Sequence, residues 1–117
     1  MAKLYDETGF SAPLAVDEKC QSLVDFVRPL VETQCGKTFS EFKCVEYSTQ
    51  PIYGKNYRIK VATNEKDAMH LMVYEPPSRV PQLIHYSRGR SVTESLNEPV
   101  DTRSVVYSMQ KGSFWVR

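Results

Sequence analysis

From Val16 onward, apolar residues recur every three or four positions: Val16, Cys20, Leu23, Val24, Val27, Leu30 and Val31. That spacing lines one side of an α-helix and predicts a helix from about Asp17 to Thr33. Asp17 suits the N-cap, where a short carboxylate accepts from the open amides of the first turn, and Gly36 suits the stop. Pro29 falls inside the pattern. It removes one amide donor and predicts a bend rather than an end, because the apolar stripe continues past it.

After Gly36 the period changes from helical to alternating. Residues 41–50 are rich in aromatic and β-branched side chains, and 55–62 alternate cleanly, with Tyr57, Ile59 and Val61 opposite Asn56, Arg58 and Lys60. Residues 68–75 repeat the pattern through Met69, Leu71 and Val73, and 82–90 form a less regular fourth candidate. Such alternation predicts an antiparallel sheet with one buried face. The connections are short: Pro51 to Tyr53, Thr63 to Asp67, and Pro76 to Pro81. In an antiparallel meander, successive turns alternate between the ends of the sheet, so the first and third share an end. The middle turn is polar, as a solvated turn should be. The shared end instead carries Pro51, Ile52 and Tyr53 beside Pro76, Pro77, Val80 and Pro81. Two apolar, proline-stiffened tips side by side predict a contact edge.

Composition narrows the picture. A chain of 117 residues with 41% hydrophobic and 25% charged positions has the make-up of one soluble globular domain. The formal net charge of +1 and the lack of a basic block argue against a sequence-independent nucleic-acid surface. No apolar run approaches the length that crosses a bilayer, and the first residues hold no secretory h-region, so a cytoplasmic location is expected. The three cysteines, Cys20, Cys35 and Cys44, are odd in number and fit no zinc or CxxC spacing. They are expected as reduced thiols, with Cys20 and Cys44 packed in the core. His70 and His85 sit in strand patterns and are expected to be structural.

Three stretches, in order, carry a resemblance. Gln50-Pro51-Ile52-Tyr53-Gly54 resembles the Q-x-V-x-G hairpin of the stefins, the single-domain intracellular cystatins. Gly54 to Val61 is similar to the family's G-x-N-Y-x-I-K-V strand, and Met69 to Tyr74 resembles its M-H-L-x-V-F strand. The resemblance spans roughly residues 9 to 98. It implies an α+β cystatin-like fold: one long helix packed across a curved antiparallel sheet of about five strands, the first supplied by the N-terminal segment. The domain organisation expected is a stefin-like domain over 1–100 and a C-terminal extension over 101–117.

The resemblance also implies an activity: reversible, tight-binding inhibition of papain-like, cathepsin-type cysteine proteases. Stefins wedge three segments into the cleft of such proteases. By match these are the trunk of Thr8, Gly9 and Phe10, the hairpin of Gln50, Pro51, Ile52, Tyr53 and Gly54, and the loop holding Pro76, Pro77 and Ser78. A wedge fills the cleft while keeping its backbone out of line with the thiolate nucleophile, so the inhibitor is not cut. No cofactor or metal is implied, and neither nucleic acid nor membrane is an expected partner. A monomer or a domain-swapped dimer is expected. Pro51, Tyr53 and the Pro76–Pro81 loop depart from the family pattern, which bears on affinity and protease preference. They also leave an alternative: a non-inhibitory cystatin-fold binding module acting through its loops or C-terminal tail. A thiol-dependent enzyme would need an oriented Cys/His pair, which the sequence does not supply.

Overall fold

The computed structural model describes residues 9–96. Thr8 and the 101–117 extension lie outside them. The chain runs β1 (Leu14–Ala15), α1 (Glu18–Cys35), β2 (Lys43–Ile52), β3 (Gly54–Ala62), β4 (Asp67–Glu75) and β5 (Gln82–Ser91). The five strands form one antiparallel sheet in sequence order, and α1 packs across it. This is the expected α+β architecture.

The helix forms where the sequence places it. The Asp17 carboxylate accepts from the Cys20 amide at 2.8 Å, and Gly36 ends the helix at φ 71°, its amide and that of Lys37 both reaching the Glu32 carbonyl. The helix passes through Pro29 and runs two residues beyond the expected Thr33, as far as the left-handed glycine allows. Val16 lies before the cap and is exposed, so it does not belong to the buried stripe. Cys20, Leu23, Val24, Val27 and Val31 face Tyr47, Tyr57, Ile59, Val61, Leu71, Val73 and Leu83 of the sheet in one core cluster. Each such fully buried aliphatic side chain contributes roughly 1.5–3 kcal/mol.

Two features correct the sequence reading. First, Cys20 and Cys44 are not separate thiols: they form a disulfide that joins the first turn of α1 to the start of β2, with a Cα–Cα distance of 6.4 Å. A β-bulge makes this meeting possible. Cys44 pairs with Val61 and Glu46 with Lys60, which leaves Val45 as the extra residue. Without it, Cys44 and Tyr47, three positions apart, would point to opposite faces. With it, both face the helix. The Gln21 side chain holds the same place, accepting from the Cys44 amide at 3.0 Å.

Second, the other sheet face is also covered. Ser48, Arg58, Lys60, His70, His85 and Ser87 are all buried. After β5 the chain turns back beneath them: Lys60 Nζ donates to the Val92 carbonyl at 2.8 Å, Arg58 donates to the Leu96 carbonyl, and the Leu96 side chain is buried. Phe10 covers the same face, with the Arg58 guanidinium 4.0 Å from its ring centre. A face of long polar side chains thus becomes interior because Phe10 and the segment from Val92 to Leu96 cover it.

Candidate functional site: the edge formed by the trunk and two loops

The β2–β3 hairpin keeps its register to the tip. Gln50 pairs with Asn56, Pro51 with Lys55 and Ile52 with Gly54, so that Tyr53 alone makes the turn. Tyr53 is 81% exposed and Ile52 49%, and Val80 on the neighbouring loop is 57% exposed. For apolar or aromatic residues on stiff tips, that exposure marks a surface built for contact.

The trunk is fixed to this hairpin through β2. The Ser11 amide donates to the Thr49 carbonyl at 2.8 Å, and the Thr49 amide donates back to the Ser11 hydroxyl at 3.1 Å. Gly9, at φ 91°, lies against the Gln50 side chain, where an added Cβ would stand 3.4 Å from Nε2. The Gln50 Oε1 in turn accepts from Asn56 Nδ2 at 2.8 Å, across the hairpin.

The second loop is fixed to the same hairpin from the other side. Gly54 has φ 94°, and a Cβ there would collide with the Glu75 carbonyl oxygen and lie 2.9 Å from Pro76 Cα. Only glycine satisfies both the backbone angle and the approach. The Tyr74 hydroxyl, on β4, donates to the Tyr53 carbonyl at the hairpin tip. The loop itself is closed by the Arg79 amide donating to the Pro76 carbonyl at 2.8 Å, with Arg79 left-handed at φ 71°. Between the loops lies a cleft of about 400 Å³ lined by Lys19, Lys55, Tyr57, Glu75, Pro76 and Arg79. Lys19 and Glu75 pair at 2.6 Å across its floor, tying the start of α1 to the end of β4.

The structure therefore brings Gly9, Gln50 to Gly54 and Pro76 to Ser78 to one end of the sheet. Phe10 is a correction. Its side chain is 3% exposed, stacked under Arg58 on the outer sheet face, and so cannot be offered to a partner. Its role is to anchor the trunk so that Gly9 emerges beside Gln50. Sequence reasoning missed Tyr74, Asn56 and Ser11, whose polar groups tie the three segments together. An alternating strand pattern assigns a face to such residues but not a partner.

The ionisable groups describe a scaffold. The Tyr47 hydroxyl donates to Asp17 at 2.6 Å, which pushes the phenol up to about 12 and lowers the carboxyl. Burial, followed by the Glu75 charge, raises the Tyr57 phenol. His70 is pushed down to about 4, first by burial and then by the positive charge of Arg90. Both histidines are buried on the sheet face opposite α1, and two of the cysteines are bonded to each other. Among the described residues, no cluster of three or more His, Cys, Asp or Glu has metal-binding geometry. No described helix is long and apolar enough to cross a membrane. A second cleft of about 420 Å³, at the opposite pole, is lined by Lys37, Phe39, Thr63, Asp67 and Arg88 and lies away from the converging loops.

Comparison with known proteins agrees with this geometry. Residues 9–81 match the Cystatin domain family. Cystatin-B of Oplegnathus fasciatus is 42% identical over 67 residues, 57% of this chain and 67% of its own length. Cystatin-A2 of Dictyostelium discoideum is 30% identical over 88 residues, 75% of this chain and 92% of its own. Human cystatin-A is 34% identical over 67 residues, 57% of this chain and 68% of its own.

Proposed function

This chain belongs to the cystatin family and is an inhibitor of cysteine proteases rather than an enzyme, and we propose that it occludes the cleft of papain-like, cathepsin-type proteases with the edge just described. The contact residues in this proposal are Gly9 of the trunk, with Thr8 before it, Gln50 to Gly54 of the first hairpin, and Pro76, Pro77 and Ser78 of the second loop. The observation that carries it is the exposure of Ile52, Tyr53 and Val80 on two loops locked side by side. Apolar tips gain from desolvation without burying an unpaired charge. The rigid turns lose little freedom on binding. Two conformational features support resistance to cleavage. Gly54 is left-handed and jammed against Glu75, and the Tyr53 carbonyl is held by Tyr74, so the peptide between them is not free to extend as a substrate strand must.

The proposal takes the chain as a monomer of one stefin-like domain over residues 1–100, with 101–117 as an extension. It places the protein in the cytoplasm, where the Cys20–Cys44 bond, with both sulfurs buried, would be shielded from the thiol pool. Titration of papain under reducing conditions tests the mechanism. Stoichiometric loss of activity, with the inhibitor recovered uncut, is expected. An unaffected protease at high micromolar inhibitor would reject cleft occlusion and leave a binding module.

A further inference from the structure

Tyr53, at the hairpin tip, has a large exposed side chain on a backbone that has no strand neighbour of its own. A one-residue tip of this kind is ordinarily the most mobile point of a hairpin. Here it is held from outside the hairpin. Tyr74 projects from β4, two strands away from β2, and its hydroxyl donates to the Tyr53 carbonyl. The strand pairing places the Tyr74 backbone opposite Asn56, so the ring runs along the outer side of β3 toward the tip. At Gly54 an added Cβ would stand 3.2 Å from Tyr74 Cε1, which puts the ring edge directly beside that glycine. The hydroxyl thus reaches the tip carbonyl from a strand outside the hairpin.

We infer that Tyr74 is a positioning residue for inhibition: its hydroxyl fixes the backbone at Tyr53 and so sets the direction in which Tyr53 and Ile52 face a protease. This rests on the wedge function proposed above. The bond also joins the first hairpin to the strand that leads into Pro76, so both loops are presented as one body. A tip already fixed in its bound conformation does not lose that freedom on association. Removal of the hydroxyl leaves the ring, its packing and the β3–β4 pairing in place, so the loss is confined to the tip. One neutral hydrogen bond corresponds to roughly a three- to tenfold change in affinity.

The test is Tyr74→Phe, measured against papain for association and dissociation rates, with the thermal midpoint and the amide exchange of Tyr53 and Gly54 recorded alongside. The expected result is dissociation about three- to tenfold faster, faster exchange at the tip, and a midpoint within a degree or two of the parent protein. A merely structural tyrosine would lower the midpoint and leave the rates of the folded fraction alone. The double variant Ile52→Asp/Tyr53→Asp serves as reference. If it loses binding while Tyr74→Phe binds and dissociates like the parent, the positioning role is wrong and the wedge stands. If the double variant also binds like the parent, the edge is not the contact and both proposals fall.

Discussion

The Cys20–Cys44 bond offers the most direct test of the structure, because sequence reasoning had assigned it to two free thiols. The perturbation is reduction, or the paired replacement Cys20→Val/Cys44→Ala, which keeps the site apolar. The bond closes a loop with a sequence separation of 24. Chain-entropy estimates for a loop of that size give about 3.5 kcal/mol at 25 °C, and measured bridges cluster at about 2–4. For a domain of this size each kcal/mol moves the midpoint by roughly 4–8 °C. Loss of the bond should therefore lower the thermal midpoint by roughly 8–30 °C. The assay has two arms. Thiol titration of the unfolded, unreduced chain should find one reactive cysteine, Cys35, and three after reduction. Calorimetry of the oxidised and reduced forms should then show the shift. Because Cys20 is fully buried and Cys44 nearly so, reduction of the native protein should be slow and should accelerate on mild unfolding. Three thiols in the unreduced chain would refute the bond. Equal midpoints for verified oxidised and reduced forms would refute its energetic role.

Other expectations follow from the same contacts. Ile52→Asp/Tyr53→Asp should weaken inhibition of papain by at least about tenfold, while circular dichroism melts stay within a few degrees, since neither side chain is buried. Gly54→Ala should destabilise by roughly 1–3 kcal/mol in urea melts, from backbone strain at φ 94° and collision with the Glu75 carbonyl; wild-type stability would show that the two loops separate freely. His70 is held at about 4, below its ordinary 6.5. The unfolded state therefore binds a proton first, and stability that is complete above about pH 6.5 should fall as pH drops toward 4, by up to about 3 kcal/mol. Urea titrations of the parent and His70→Gln measure this, and identical pH profiles would dismiss the histidine. Tyr47→Phe removes a 2.6 Å bond to the helix cap and should cost about 1 kcal/mol, with the Asp17 carboxyl returning toward its ordinary range by NMR titration.

Much of this fold was legible because its elements carry clean periods. The stripe from Cys20 to Val31 and the alternation through Tyr57, Ile59 and Val61 leave few other arrangements, and the cap residues Asp17 and Gly36 act as their chemistry requires. The converging loops were also legible, since strand order alone places the first and third turns together. What was hidden depended on departures from regularity. The bulge at Val45 shifts the phase of β2, and only that shift brings Cys44 to Cys20. A strict two-residue alternation cannot reveal it. The burial of Arg58, Lys60 and His70 depends on Phe10 and the segment after β5 lying across a face that reads as polar. Phe10 was placed at the contact edge by its neighbour Gly9, yet its ring is buried against Arg58 on the outer sheet face, an environment that sequence position alone does not reveal.

The departures from the stefin pattern gain a common explanation in this geometry. Pro51 stiffens the approach to the tip, and Tyr53 puts a bulky ring where the family carries a small residue, on a one-residue turn that has no strand partner of its own. The strand that reads M-H-L-x-V-F in the family ends here in Tyr74, which differs from phenylalanine by the one hydroxyl that holds the Tyr53 carbonyl. The substituted tip and its brace thus lie on different strands, 21 positions apart in sequence, and meet only in the folded sheet. An aromatic tip without the brace would spend binding energy on ordering itself. With the brace, the same ring becomes a preformed contact whose shape can select among protease clefts. Target preference should therefore follow the pair. In a cycle of Tyr53→Ala, Tyr74→Phe and the double variant, the losses of affinity should be less than additive, because the brace matters most while the ring it positions is present, and additive losses would break the link between the two residues.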